Sequence, residues 1–154
     1  MITRTLRSLA DTHALAARIA EFARVGDVIV LAGEMGAGKT AFAQGFGRAL
    51  GVTEPVTSPT FNVVHSYDSG RVRLHHADVY RLERTGELDD LSLGELDDGI
   101  LLVEWGDVVA SSLGEHLEIV LSRVDDDDDA RVVTIEPVGP RWNARWSRIE
   151  AALA

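Results

Sequence analysis

The residues best placed to do chemistry are Lys39 and Thr40. They close the stretch Gly33-Glu34-Met35-Gly36-Ala37-Gly38-Lys39-Thr40, which fits the spacing G-x-x-x-x-G-K-[ST]. Residues without a Cβ let several backbone amides turn toward one point, and a helix starting near the lysine adds the positive end of its dipole. In that arrangement the lysine reaches the β and γ phosphates of a nucleotide and the hydroxyl ligates magnesium. An accidental Gly-rich turn would also carry these glycines, so the flanking elements have to decide. Val28 to Ala32 is a continuous apolar run that reads as a strand buried on both faces. Ala41, Phe42, Phe46, Ala49 and Leu50 then fall at helical spacing, with Gly51 placed as a C-terminal cap. Strand, loop and helix arrive in the order a phosphate-binding loop requires.

Such a loop needs a carboxylate near the metal, and two strand ends offer one. Gly99 to Trp105, G-I-L-L-V-E-W, reads as a second buried strand whose fifth residue, Glu104, emerges at the phosphate end. Asp78 ends the segment Val72 to Ala77 in a similar way, although that segment is less apolar. Both carboxylates are expected at the site, with Glu104 nearer the metal. Lys39 is expected to be an exposed loop residue with little part in the core. The histidines at 13, 65, 75, 76 and 116 show no metal-ligand spacing on one helix face, so no transition-metal site is expected. Of the arginines near these segments, Arg71, Arg73, Arg81 and Arg84 are not obviously aimed at a γ-phosphate.

The remaining chain must position these groups. Met1 to Arg24 has an amphipathic apolar pattern and reads as a core-packing helix, with Asp11 or Thr12 as its cap; Asp11 and Glu21 argue against a transit peptide. Gly51 to Thr60 is a hydroxyl-rich loop. Phe61, Val63 and His65 alternate as in a half-exposed strand, Asp68-Ser69-Gly70 is a turn, and Arg71 to Asp78 returns as the second strand of a hairpin. Glu83 to Asp98 is acidic and reads as one or two helices, with Leu88, Leu91, Leu93 and Leu96 toward the core. His116 to Ser122 and Ala130 to Pro137 read as two strands joined by the solvated run Asp125 to Asp129. Arg141 to Leu153 reads as a helix with Trp142, Trp146, Ile149 and Leu153 on one packing face.

Composition bounds the function. A chain of 154 residues is expected to form one domain with a single core. With 25 acidic and 15 basic residues the net charge is −10, which argues against a broad nucleic-acid surface or attraction to anionic membranes. The absence of cysteine removes disulfides, thiolate zinc sites and cysteine nucleophiles, and fits the cytoplasm. No apolar run approaches the ~20 residues needed to cross a bilayer. Neither N-K-x-D nor D-x-x-G occurs, so ATP is expected over GTP.

Four motifs in order resemble one family: Gly33 to Thr40, then Thr57-Ser58-Pro59-Thr60-Phe61, then His76-Ala77-Asp78-Val79-Tyr80-Arg81, then Leu102-Val103-Glu104-Trp105. Together they resemble the TsaE (YjeE) family of bacterial ATPases needed to make threonylcarbamoyladenosine in tRNA, over roughly Thr12 to Trp105. The resemblance implies a single-domain α/β fold of the P-loop NTPase type, three-layered, with a largely parallel central sheet and an added antiparallel hairpin. It implies ATP or ADP with magnesium as ligands. The implied partners are the TsaD and TsaB proteins, with TsaC in the same pathway and tRNA met through the complex. By the resemblance, Gly33, Glu34, Met35, Gly36, Ala37, Gly38, Lys39, Thr40 and Ala41 hold the nucleotide and Thr12 lies near its base. Thr40, Glu104 and Asp78 serve the metal, and Lys39, Glu104, Asp78 and Thr60, the last in a switch-like loop, serve the reaction. Trp105 completes a Glu-Trp pair. The run Asp125 to Asp129 departs from the family pattern. A small-molecule kinase, and a nucleotide-dependent binding switch without useful turnover, use the same loop and stand as the alternatives.

Overall fold

A computed structural model of the chain describes residues 1–57, 64–79, 96–104 and 113–154. The elements in these segments are β1 (Ile2–Leu6), α1 (Leu9–Phe22), β2 (Val28–Ala32), α2 (Lys39–Ala49), β3 (Val64–Tyr67), β4 (Leu74–Asp78), β5 (Ile100–Glu104), β6 (His116–Val124), β7 (Asp127–Val138) and α3 (Pro140–Leu153). All seven strands form one sheet in the order β1-β7-β6-β2-β5-β4-β3. The four inner strands β6, β2, β5 and β4 run parallel, whereas β7 and β1 on one side and β3 on the other pair antiparallel. The centre is therefore parallel as expected, and both margins, rather than one hairpin alone, are antiparallel.

Period-two alternation sorts each strand between two faces. Ile29 and Leu31 of β2, Ile100 and Leu102 of β5, and Leu117, Ile119 and Leu121 of β6 join one core with Ile19 of α1, Phe42 and Phe46 of α2, and Trp142 and Ile149 of α3. The opposite face carries a smaller cluster of Ala77, Val79, Leu101 and Val103, against which Val28, Val64, Leu96 and Leu113 pack. Helices α1 and α2 approach closely because Gly45 has no side chain; a Cβ there would lie 2.8 Å from the Cα of His13.

The N-terminus departs from the single helix expected over Met1 to Arg24. Its first residues are the edge strand β1, paired along its length with β7. The β-branched Ile2, Thr3 and Thr5 suit a pleated edge, and Arg4, whose guanidinium donates to Leu153 O, keeps that edge polar. Helix α1 is capped by neither Asp11 nor Thr12. Ser8 is the N-cap, accepting from the Asp11 amide at 3.2 Å, while the Asp11 carboxylate accepts from the Arg7 amide at 2.9 Å. The acidic run is also divided: Asp125 and Asp126 form the turn, and Asp127, Asp128 and Asp129 begin β7, all exposed. The expected strand residues Phe61 and Val63 and most of the expected acidic helix, with Leu88, Leu91 and Leu93, lie outside the described residues.

At the end of the sheet remote from the glycine-rich loop, Asp27 anchors α3. Its carboxylate accepts from Arg141 Nε at 2.7 Å and from both terminal nitrogens of Arg145 at 2.7 Å. Burial by itself would push the Asp27 carboxyl up; the hydrogen bonds from Arg145 and Arg141 outweigh it and hold the group below the ordinary aspartate value. The Arg145 guanidinium also lies 4.0 Å from the centre of the Trp142 ring.

Candidate functional site

The loop between β2 and α2 sits at the C-terminal ends of the parallel strands, where open α/β sheets bind ligands. Its glycines are required by geometry. Gly36 and Gly38 have φ of 80° and 103°, in the left-handed region. A Cβ on Gly33 would lie 2.2 Å from Leu121 O, so only glycine lets the loop pass over β6. Gly38 is the N-cap of α2 and supplies no side chain to the first-turn amides, and no acidic residue occupies that turn. The first-turn amides of a helix lack intrahelical acceptors, which leaves this helix start suited to an anion. Glu34, Met35 and Gly36 are exposed at the loop tip, whereas Ala37 is fully buried.

Lys39 is not the exposed residue expected from sequence. It is 4% exposed, and its ammonium donates to Gly33 O at 2.7 Å and Glu34 O at 2.8 Å. The amine therefore braces the first half of the loop from inside. Thr40 is half-buried, and its hydroxyl donates to Glu104 at 3.2 Å from Oε1 and 3.4 Å from Oε2. Glu104 is 2% exposed and reaches this place because β5 lies beside β2, with Glu104 in register with Leu31.

Register also brings Asp78 to the site. β4 is parallel to β5 with Asp78 opposite Glu104, so both side chains leave the sheet on the face that carries α2. Two residues earlier on the same face, His76 is fully buried, with Nε2 2.5 Å from Glu104 Oε2. A chain of contacts thus runs Thr40–Glu104–His76. Sequence reading gives His76 no role, although it opens the motif His76 to Arg81 and its spacing of two from Asp78 puts both on one face of a strand. Its neighbour His75 turns the other way, to Ser66 and Asp98, each at 2.7 Å. No cluster of three or more metal-binding side chains occurs among the described residues.

Thr12 is 4% exposed and borders a cavity of about 150 Å³ with Gly38 and Ala41, lined further by Ser8, Asp128 and Arg131. It therefore adjoins the start of α2. Arg71 and Arg73 point elsewhere, to Ala20 O and to Asp68 and Asp98. Arg81, Arg84, Thr60 and Trp105 lie outside the described residues. Arg131 of β7, which sequence reading does not single out, reaches the loop with its guanidinium, donating to Gly36 O at 3.1 Å and Ala37 O at 3.2 Å.

A buried parallel strand, a loop of left-handed glycines and a helix whose first residues are Lys39 and Thr40, set beside an acidic strand end, define an α/β domain of the P-loop NTPase type. Comparison with known proteins gives the family. Residues 6–133 match the family described as "Threonylcarbamoyl adenosine biosynthesis protein TsaE", and the chain belongs to that family. It is 44% identical over 135 residues to the tRNA threonylcarbamoyladenosine biosynthesis protein TsaE of Bacillus subtilis, covering 86% of this chain and 83% of that one. It is 41% identical over 135 residues to the protein of the same name from Streptomyces coelicolor, with 83% and 91% covered. Among solved structures, the crystal structure of Bacillus subtilis YdiB superposes with a TM-score of 0.81 at 33% identity, covering 99% of this chain and 96% of that one.

Proposed function

We propose that the chain binds ATP with magnesium at the β2–α2 loop and hydrolyses it slowly, as a component of the machinery that makes threonylcarbamoyladenosine in tRNA. It works alongside TsaD and TsaB in the cytoplasm, with TsaC in the same pathway. The observation that carries the ATPase reading is the part-buried hydrogen bond from Thr40 to Glu104, next to a buried lysine and a helix N-terminus without a side-chain cap. A structural threonine–glutamate contact would not need the left-handed glycines beside it. The biosynthetic role rests on family membership and on what the named relatives do.

The residues present fit a magnesium nucleotide. Thr40 Oγ1 and the Glu104 carboxylate meet at the helix start, with Asp78 in register with Glu104 on the neighbouring strand; hard oxygen donors of this kind are what magnesium prefers. Magnesium, when bound, neutralises charge on the phosphate oxygens. Lys39 exchanges the Gly33 and Glu34 carbonyls for phosphate oxygens, and the loop amides hold the rest of the anion. Glu104 either supports the metal or orients the attacking water, while His76 fixes its carboxylate. Phosphoryl transfer to water depends on such positioning and charge stabilisation more than on covalent help. Arg71, Arg73 and Arg131 are engaged with other groups, which supports a slow reaction completed or triggered by a partner.

The test is phosphate release from ATP with and without the TsaB and TsaD proteins. Stimulated release supports the proposal. Phosphorylation of a metabolite with no free phosphate would replace it with a kinase, and binding without turnover in either condition would leave a nucleotide-dependent switch.

A further inference from the structure

We propose that Arg131 is a positioning residue that holds the outer half of the phosphate loop in its binding shape before nucleotide arrives; the nucleotide part of this inference rests on the ATPase reading above. The loop lies along the β6–β7 hairpin at three points. Gly33 passes over Leu121 O, the Glu34 carboxylate accepts from the Arg123 amide at 3.4 Å, and Arg131 binds the carbonyls of Gly36 and Ala37. The remaining donors of Arg131 also go to backbone: Nη1 donates to Asp128 O at 2.6 Å and Ala130 O at 2.8 Å. Its guanidinium therefore joins the hairpin to the loop through carbonyls alone. No carboxylate lies within ion-pair distance of it among the described residues.

This arrangement divides the loop between two cations. Lys39 braces Gly33 and Glu34 from inside, and Arg131 braces Gly36 and Ala37 from outside. Once Lys39 turns to phosphate, the inner brace is lost and Arg131 is the one that stays. The Ala37 carbonyl held by the guanidinium shares its peptide unit with the Gly38 amide, which therefore faces the other way, toward the helix start, while the Ala37 amide closes the loop onto Glu34 O at 3.1 Å; the fork thus presets the loop and lowers the ordering cost of binding. The sequence accepts a local penalty for the device. Arg131 stands directly opposite Arg123 across the hairpin, and like charges in that position disfavour the pair. Arg123 also borders the same loop, with Nη1 3.6 Å from where a Gly36 Cβ would stand. Lysine could not replace Arg131, because a single ammonium can bridge two adjacent carbonyls, as Lys39 does, but cannot hold the Gly36 and Ala37 carbonyls and those of Asp128 and Ala130 together.

The test pairs a nucleotide-free measurement with a kinetic one on wild type, Arg131→Gln and Arg131→Lys. Backbone ¹⁵N relaxation of Gly36 and Ala37 is measured without nucleotide, with residues of the β1–β7 pair as an internal control. ATP affinity and turnover are then measured on the same proteins. The expected result is that both variants lower the loop order parameters from about 0.85 toward 0.6 while the control strands stay rigid. The dissociation constant and KM for ATP rise on the order of ten-fold, by a larger factor than kcat falls. An unchanged loop in Arg131→Gln overturns the inference, as does loosening of β1 and β7 together with the loop, which would make the residue merely structural. An Arg131→Lys protein that behaves as wild type overturns the fork. If wild type fails to bind ATP, the ATPase reading falls, while the relaxation measurement still judges the clamp.

Discussion

At the residue scale, Lys39 braces the loop and is proposed to meet phosphate, and two measurements on one substitution tell these tasks apart. Lys39→Ala removes the cation expected to meet phosphate, and it also strips the donor from the Gly33 and Glu34 carbonyls. Charged hydrogen bonds contribute about 1.5–3 kcal/mol. ATP affinity should therefore fall roughly ten- to hundred-fold in a titration, and the nucleotide-free protein should melt at a lower temperature than wild type, which an exposed lysine would not cause. Full affinity in a folded Lys39→Ala protein would remove the basis of the nucleotide reading. Glu104 and Asp78 divide differently. Glu104→Gln keeps an oxygen for the Thr40 hydroxyl, and its new amide can meet His76 Nε2 after a change of imidazole tautomer, so the protein should fold and bind ATP. Loss of the charge should lower single-turnover hydrolysis about 10²- to 10³-fold. Asp78→Asn should affect binding less while still slowing turnover, since a neighbouring acid orients groups around the metal. Full hydrolysis in Glu104→Gln with a dead Asp78→Asn would reverse the two roles.

At the element scale, the contact between α1 and α2 sets where the loop's helix begins. Alanine at an exposed mid-helix glycine stabilises by roughly 0.5–1 kcal/mol, because it restricts the unfolded chain and favours helix. At Gly45 that gain meets a Cβ only 2.8 Å from His13 Cα, a backbone atom that cannot rotate away. Overpacking costs about 1–3 kcal/mol, so the steric effect prevails. Gly45→Ala should lower stability in urea denaturation by about 1–2 kcal/mol, and a more stable variant would show that α1 and α2 can separate without cost. The β6–β7 hairpin holds the loop from the other side, so the loop before α2 and the middle of α2 are each packed on a regular element.

For the whole molecule, the acid limit should be set at the end of the sheet opposite the site. Asp27 has a folded pKa below its unfolded value, so its contribution is fully present above the ordinary aspartate value of about 3.9 and is lost as pH falls through the depressed folded pKa. Asp98, held low chiefly by its hydrogen bond from His75 and further by Arg73, loses its partners in the same direction. Asp27→Asn leaves Arg145 buried without a full counter-charge. It should cost on the order of 3 kcal/mol at neutral pH, and wild-type and mutant stabilities should converge as pH drops below about 4. Melting curves across that range check both statements; a constant gap down to pH 2 would remove Asp27 as the acid-sensitive group.

The sequence by itself determined the glycine-rich loop that leads into Lys39 and Thr40, the buried strands β2 and β5, the second ending in Glu104, and the hairpin that leads to Asp78. Each is written locally, as glycine spacing, an unbroken apolar run, or turn residues between alternating segments. Four motifs in register were enough to indicate the family. Tertiary structure alone decided that Met1 to Leu6 leaves the helix to pair with β7, because pairing across a sheet depends on a partner more than a hundred residues away in the chain. It alone decided that Lys39 is buried, and that His76 and Arg131 attend the site. The contact between Thr40 and Glu104 spans 64 residues, that between His76 and Glu104 28, and those from Arg131 to the loop 94 and 95. No local periodicity encodes such distances. They follow from the order β7-β6-β2-β5-β4, which sets these strands side by side so that the site side chains leave the sheet beside one loop.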